Sequence, residues 1–466
     1  MKSKEKNIRK DLLWSFPHGG KLKKDKQEKI QKFAEGYKHF LDLAKTEREF
    51  VDYALEEIKA HGYKPFDPQV MYKPGDKLYF VNRGKSLILS TIGTKPLQEG
   101  MHMAISHVDS PRLDLKPFPL MEKSDIAYLK THYYGGIRKY QWVTIPLAIH
   151  GVVCLKDGQV VKVTIGEDEA DPVFCVTDLL PHLGADQNER KLKDGIKGEE
   201  LNAVTATIPF VDEKDKETVN SVKLALMKLL NDKYGMTERD FLTAELCLVP
   251  AAKARDVGLD RSLVGAYGQD DRVCAYAALQ AELGCNKPSH TTLTVFADKE
   301  EIGSYGNTGM SSDFTLHFIE DLARNSGTDL NTVLRNSYAV STDVGAAFDP
   351  NYPAVFDEQN SCHVNKGCVL TKYTGARGKS GSNDASAETL SYLTRIFDGE
   401  NILWQIGEIG AVDAGGGGTV ALYIANFDVN VVDLGVPILS MHSPFELSSK
   451  IDLYSLYEAV KAFYKH

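Results

Sequence analysis

A short apolar run followed at once by acidic residues constrains this chain most. Residues 293–297 are β-branched, aromatic, aliphatic or small, and such a run between polar residues predicts a buried strand. Asp298, Glu300 and Glu301 follow, and then a loop with three glycines. Carboxylates at the carboxyl end of a strand mark the edge where open α/β sheets place their chemistry. Taken alone, the glutamate pair is explained more simply by a helix cap and a solvated side chain.

Four other apolar, strand-like segments also lead to a side chain that can bind a metal. These side chains are His107, Asp270, Asp343 and His442. Because the strand ends of an open α/β sheet converge on one edge, we expect all five segments to meet there. Two histidines and three carboxylates suit two zinc-type ions if one carboxylate is shared. One of the adjacent glutamates is then left as a general base for a metal-activated water.

Simpler explanations exist for several of these residues. A histidine after a strand is often structural, and Asp270 with Asp271 is favoured at a helix start by the helix dipole. Against this, His107 and Asp109 face the same side of an extended chain, where the carboxylate can orient the imidazole. The zinc motif HExxH and the serine-nucleophile motif GxSxG are absent. The glycine run 413–418 lacks the patterns that bind nucleotide phosphates.

Composition excludes several classes of protein. The net charge of -9 argues against a nucleic-acid-binding function. No apolar stretch is long enough for a membrane span, and the lysine-rich start has no apolar core typical of a signal peptide. Seven scattered cysteines without CxxC spacing indicate a reducing compartment, so we expect a cytoplasmic protein.

The length of 466 residues predicts two or three domains. From 118 to 243 the pattern changes to alternating β-like runs without acidic clusters, which indicates a separate module. We therefore predict a discontinuous catalytic domain, 1–117 and 244–466, interrupted by an insertion at 118–243. The insertion contains His182 in the sequence DLLPHL, where a half-buried turn histidine is the simplest interpretation.

Five segments together carry a family resemblance, in the order HVDSPRLDLKP, GQDDR, DKEEIGS, STDVG and VDLGVPILSMHS. This combination resembles the M18 metallo-aminopeptidase family, the aspartyl aminopeptidase-like enzymes, and extends from about residue 100 to 445. The resemblance implies an α/β fold in which a catalytic domain has a central mixed sheet flanked by helices. It also implies an inserted, β-rich dimerisation domain and a homo-oligomer assembled as a tetrahedral dodecamer that acts on peptide substrates.

The same resemblance assigns roles to individual residues. Asp270 is the bridging ligand of two divalent ions, most simply zinc, although manganese and cobalt suit the same ligands. His107 and Asp343 complete one ion, and Glu301 and His442 complete the other. Glu300 is the general base, Asp109 orients His107, and His182 helps to stabilise the reaction intermediate in a neighbouring subunit.

Substrate preference is less constrained than the metal site. The segment 369–386 is basic and rich in glycine and serine, and it departs from that of family members with a strong acidic preference. Lys372 in this segment makes a preference for acidic N-terminal residues a hypothesis. Two rival functions use the same sequence features. A binuclear carboxypeptidase or deacylase shares the ligand set, and a non-catalytic assembly protein shares the fold.

Overall fold

The computed structural model describes residues 12–211 and 219–466; residues 1–11 and 212–218, from the predicted catalytic and inserted regions, lie outside the described residues. The first strands are β1 Lys64–Pro65, β2 Lys77–Asn82, β3 Ser86–Thr91, β4 Met101–His107, β5 Arg112–Lys123, β6 Ile126–Tyr134, β7 Leu147–Cys154, β8 Val160–Ile165, β9 Cys175–Val176, β10 Asn202–Ala206 and β11 Ala244–Pro250. The remaining strands are β12 Arg255–Val257, β13 Leu263–Ala266, β14 Thr291–Ala297, β15 Tyr338–Ser341, β16 Gly345–Ala346, β17 Cys368–Thr371, β18 Trp404–Ile406, β19 Asn430–Gly435, β20 Pro437–Leu439 and β21 Glu446–Ser449.

The helices in the described part of the chain are α1 Lys24–Leu43, α2 Glu47–Lys59, α3 Ala185–Asn188, α4 Leu192–Gly195, α5 Ser221–Tyr234, α6 Gln269–Leu283, α7 Phe314–Asn325, α8 Leu330–Arg335, α9 Ala376–Lys379, α10 Ala387–Gly399, α11 Ala421–Ala425 and α12 Lys450–Lys465. Among the described residues, no helix has the length and apolar character needed to cross a membrane.

A nine-stranded mixed sheet forms the centre of the molecule, in the order β1-β2-β3-β14-β4-β15-β19-β17-β18. Its four middle strands, β14, β4, β15 and β19, are parallel. Strands β3 and β17 pair antiparallel with this parallel core. The prediction of an α/β fold with a central mixed sheet is confirmed.

Helices cover both faces of this sheet. Val340 and Val432 pack in a core that includes residues of α1, α2, α6 and α12. Their neighbours Ala339 and Val431 pack in a second core with α7, α8 and α11. Because successive strand residues point to opposite faces, a strand covered on both sides is apolar on both faces at most positions. This explains why the sequence shows continuous apolar runs here rather than alternating ones.

A second sheet has seven strands in the order β8-β7-β11-β5-β6-β10-β9. It packs against α5 around its own buried core, which includes Leu129, Leu248 and Leu226. Strands β5 and β11 pair with each other, with Cys247 opposite Asp114. The sheet therefore extends beyond the predicted limits 118–243 at both ends, because its strands begin at Arg112 and end at Pro250.

A third, five-stranded sheet has the order β12-β13-β21-β20-β16. Strand β13 leads into α6, and β20 precedes the segment that contains His442. The expectation that all five predicted site segments end at the edge of one sheet is therefore wrong. Asp270 and His442 follow strands of this smaller sheet, whose ends approach the edge of the nine-stranded sheet.

Candidate metal centre

Three adjacent parallel strands bring the first group of site residues together. His107 is the last residue of β4, and in the ladder it lies opposite Ala297, the last residue of β14. Asp343 follows β15, which pairs with the other side of β4. Glu300 and Glu301 follow β14 after a two-residue turn. This part of the predicted convergence agrees with the structure.

The glutamate pair lies on a short helical turn and not on an extended chain. Residues Glu300–Ile302 form one turn of 3₁₀ helix between Lys299 and Gly303, both of which have left-handed backbone conformations. The turn, rather than strand alternation, separates the two carboxylates. The side chain of Glu301 is 4% exposed, and its Oε1 has no hydrogen-bond partner.

Two clusters of ligand atoms share Asp270. One cluster contains His107, Asp270 and Asp343, and the other contains Asp270, Glu301 and His442; within each, the ligand atoms lie within 4.8 Å of one another. Asp270 Oδ1 lies 3.1 Å from His107 Nε2, and its Oδ2 lies 3.1 Å from His442 Nε2. Ligands that bind one zinc ion at about 2.0–2.2 Å have comparable separations. The donor set therefore fits zinc ions at both clusters.

Each histidine is held through its other ring nitrogen. Nδ1 of His107 donates to the backbone carbonyl of Asp109 at 3.0 Å, and Nδ1 of His442 donates to the carbonyl of Gly136 at 2.7 Å. A carbonyl can only accept, so each imidazole in its neutral form carries its proton on Nδ1 and offers the Nε2 lone pair to a metal. The two histidines thus present the same nitrogen to the shared carboxylate.

Asp109 connects the two sides of the site. Its carboxylate lies 3.3 Å from Nδ1 of His107. It also accepts hydrogen bonds from the backbone N–H groups of Glu300 and Glu301 at 3.1 and 3.2 Å. Burial alone would raise the pKa of Asp109, but its hydrogen bonds with His107 and Tyr134 outweigh burial and lower it. Asp109 therefore remains an acceptor that fixes both His107 and the glutamate turn.

The carboxylates of the site lie in a buried region that has too few positively charged groups to balance their negative charge. Burial, together with Asp109 and Asp270, raises the pKa of Glu300 to about 7. Burial and neighbouring carboxylates likewise raise the pKa values of Glu301 and Asp343 well above their ordinary range. Buried charges in proteins are paired or coordinate metals. The excess of carboxylates is a second reason why divalent cations fit this site.

Glu446 is a member of the site that sequence reasoning missed. Its buried carboxylate accepts from the backbone N–H of His442 at 2.7 Å and from that of Asp270 at 3.1 Å. Burial and the nearby Asp270 raise its pKa to about 8. Its position four residues after His442 was a usable signal, because a carboxylate close to a candidate ligand often supports it.

Four predicted residues are not members of these clusters: Glu300 and Asp109, described above, and His182 and Lys372. His182 is exposed on a short 3₁₀ turn, Pro181–Leu183, of the inserted region. Lys372 follows β17, and its Nζ lies 3.0 Å from Asp384, which also pairs with Lys379. Neither residue contributes to either candidate metal cluster found among the described residues.

Comparison with known proteins identifies the family. Residues 40–464 match the family model described as aminopeptidase I zinc metalloprotease (M18). A probable M18 family aminopeptidase 1 of Clostridium acetobutylicum is 48% identical over 463 residues, covering 97% of this chain and 99% of the relative. The corresponding Thermotoga maritima protein is 43% identical over 442 residues, covering 94% and 96%.

Solved structures agree with this assignment. The crystal structure of aminopeptidase I from Clostridium acetobutylicum has a TM-score of 0.92 at 45% identity, covering 98% of this chain and all of the other. That of the M18 aminopeptidase from Thermotoga maritima has a TM-score of 0.91 at 42% identity, covering 97% and 100%. The chain therefore belongs to the M18 family of zinc aminopeptidases and is a peptide hydrolase.

Proposed function

We propose that this chain is a two-zinc aminopeptidase in which Asp270 is shared by both ions. His107 and Asp343 complete one site, and Glu301 and His442 complete the other. The observation that supports this most directly is the position of Asp270, whose two carboxylate oxygens each lie 3.1 Å from a different histidine. The buried Oε1 of Glu301, which accepts no hydrogen bond from the described residues and lies 3.5 Å from Nε2 of His442, supports the second site.

The reaction requires a base next to both sites, and Glu300 suits that role. It belongs to neither ligand cluster, although it is adjacent to Glu301 and its backbone is held by Asp109. Bound zinc would polarise the substrate carbonyl and make water acidic enough to react near neutral pH. Glu300 then takes a proton from the attacking water and delivers it to the leaving amine.

The test is a comparison of Glu300→Gln with Glu301→Gln. The Glu300 variant should keep two zinc ions per chain and lose about 10²–10⁴-fold in kcat, since this is the usual contribution of a general base. The Glu301 variant should instead lose zinc, because an amide is a poorer ligand. Near-normal turnover by zinc-loaded Glu300→Gln would refute the role of Glu300.

The requirement for a free substrate amine separates an aminopeptidase from a carboxypeptidase or deacylase. We expect cleavage of unmodified peptides and no cleavage of the same peptides after N-terminal acetylation. Peptides with an amidated C-terminus serve as the matched control and should remain substrates. Hydrolysis of acetylated but not C-terminally amidated peptides would favour the carboxypeptidase function.

A preference for acidic N-terminal residues is a finer proposal that depends on the basic segment 372–384. Lys372, Arg377 and Lys379 are its cations, and Asp384 is its only carboxylate. Asp384 pairs with both lysines but carries a single charge, so the segment keeps excess positive charge. We expect Lys372→Met to reduce hydrolysis of Asp- and Glu-anilides relative to Leu-anilide, and Asp384→Asn to increase it. Equal or faster hydrolysis of Leu-anilide by the unaltered protein would exclude the preference.

We further propose that the seven-stranded sheet and α5 form an inserted unit through which copies of the chain associate. Large apolar side chains around His182 support this surface: Leu179, Leu180, Leu183 and Leu192 are 50–67% exposed. One structural neighbour, 19% identical with a TM-score of 0.75, is described as the mApe1 dodecamer of yeast. Likeness at that identity concerns the fold, so a dodecamer is a proposal that sedimentation or light scattering can test.

His182 has a role in such an assembly if it reaches the active site of an adjacent subunit. Its exposed position outside its own chain's clusters supports this assignment. Subunit mixing offers a direct test, because His182→Ala and Glu300→Gln chains carry different defects. Homo-oligomers of either variant should have low activity, and co-assembled chains should regain part of it. No recovery in mixed assemblies of confirmed composition would refute the role.

A further inference from the structure

The end of β6 reaches from the seven-stranded sheet into the metal centre. Tyr134 is its last residue, and its hydroxyl donates to Asp109 Oδ2 at 2.8 Å. Two residues later, the carbonyl of Gly136 accepts from Nδ1 of His442 at 2.7 Å. The first contact acts on His107 through Asp109, and the second acts on His442 directly. One short segment of a different sheet therefore contacts the supports of both histidines.

We propose that residues 134–136, called here the β6 turn, form a positioning element that orients both metal-binding histidines. The inference rests on the two-zinc site proposed above. It adds that zinc affinity depends on a segment of the seven-stranded sheet, although that segment provides no ligand. Groups that orient zinc ligands in this way typically change metal affinity or activity by about 10–100-fold when they are removed.

Tyr134 is itself held firmly, as a positioning residue must be. It is buried, and the guanidinium of Arg112 lies 4.3 Å from the centre of its ring. Arg112 in turn pairs with Glu47 of α2 and with Asp114 of β5, both at 2.7 Å. The phenol is thus fixed between the two larger sheets. Its hydroxyl remains a donor at neutral pH, because a tyrosine ordinarily ionises near pH 10.

Glycine is required where the β6 turn passes the ligands. Gly135 has a φ of +74°, and a Cβ there would lie 3.1 Å from Oε2 and 3.3 Å from Cβ of Glu301. A larger residue would therefore press on a proposed ligand. A Cβ on Gly136 would lie 3.6 Å from Nδ1 of His442, an ordinary contact distance. The backbone of the turn thus approaches two of the three proposed ligands of the second site, Glu301 and His442.

The first test compares Tyr134→Phe with Tyr133→Phe. Tyr133 is its neighbour on β6, and its hydroxyl makes no hydrogen bond within the described parts of the chain. We expect Tyr134→Phe to bind zinc about 10–100-fold more weakly in competition with a chelator, and to lose kcat with little change in KM. Tyr133→Phe should match the unaltered protein. The melting temperature of metal-free Tyr134→Phe should fall only slightly, because Asp109 Oδ2 loses one hydrogen bond but still accepts from the N–H of Glu301.

The second test compares Gly135→Ala with Gly158→Ala. Gly158 also has a left-handed backbone, with φ of +90°, but a Cβ there meets nothing within 4 Å. Both changes introduce similar backbone strain, and only the first contacts Glu301. We expect zinc affinity to fall in Gly135→Ala and to stay unchanged in Gly158→Ala.

The inference is overturned if Tyr134→Phe binds zinc as tightly as the unaltered protein. If the metal-free stability of this variant falls at the same time, the role of Tyr134 is purely structural. Failure of the two-zinc proposal is distinguishable, because the unaltered protein would then hold fewer than two zinc ions per chain.

Discussion

Replacing Asp270 by asparagine tests the shared carboxylate on which the proposed site depends. The change keeps the size and shape of the side chain and removes one oxygen and the charge. In the structure each oxygen serves a different histidine, at 3.1 Å on either side. An asparagine keeps one oxygen, and its NH₂ group is a donor that cannot bind a cation. At most one of the two sites can therefore keep its full ligand set.

The size of the effect follows from the number of ligands. Zinc sites with four ligands in small proteins bind with about 10–16 kcal/mol. If the ligands contribute equally, one of them is worth about 2.5–4 kcal/mol. Since every 1.4 kcal/mol is tenfold, this corresponds to roughly 60- to 700-fold weaker binding at the affected site. Zinc content after dialysis against a weak chelator should fall from two ions per chain to one or none.

The assay combines elemental analysis with calorimetric zinc titration, and Asp271→Asn is the matched control. Asp271 is the next residue and is fully buried, but it belongs to neither cluster. Neither oxygen of its carboxylate has a hydrogen-bond partner among the described residues, so the change to an amide removes no hydrogen bond to a ligand. The control should keep two zinc ions. If Asp270→Asn also keeps two ions at unaltered affinity, Asp270 does not bridge, and the proposed ligand sets are wrong.

Three further expectations concern residues around this centre. In Glu446→Gln the side chain can accept only one of the two backbone hydrogen bonds that Glu446 accepts. Zinc binding, measured by competition with a chelator, should therefore be about 10–100-fold weaker. Unchanged zinc affinity would limit Glu446 to a structural role. Burial alone would raise the pKa of Glu167, but His150 and Lys45 lower it to about 2. The ionised carboxylate of Glu167 therefore stabilises the folded protein fully above about pH 4.5, and this stabilisation is lost as the pH falls towards 2. Unfolding by urea should show Glu167→Gln to be less stable by about 3 kcal/mol at neutral pH, with the difference shrinking below pH 4; a pH-independent difference would contradict the ion-pair origin. Phe463→Ala, at a fully buried position of α12, should cost about 3–5 kcal/mol without changing zinc content, and a loss below 1 kcal/mol would contradict its place in the core.

The sequence was most informative where a strand leads directly into a ligand. The run 101–106 predicted β4, and its terminal residue, His107, lies in a metal-binding cluster. Such segments carry two signals at once, a continuous apolar run from burial on both faces and a polar side chain where burial ends. Asp343 was found in the same way, at the end of the next strand.

Other features of the site could not be predicted from local pattern. Tyr134 supports His107 through a second side chain, Asp109, and its residue type does not signal such a role. The placement of His442 on the five-stranded sheet depends on which strands pair, and a three-residue strand such as β20 gives no pairing signal. The 3₁₀ turn at Glu300 depends on the left-handed backbone of Lys299, which its residue type does not predict.

The contact between Gly136 and His442 has a consequence for how the enzyme is made. The two residues are 306 positions apart in the chain. At a synthesis rate of about 5–20 residues per second, roughly 15–60 s pass between their addition. During that interval the growing chain can bury much of its central sheet but has no His442 to complete the second cluster. The second cluster can therefore form only once His442 has been added, after Asp270 and Glu301 have been made.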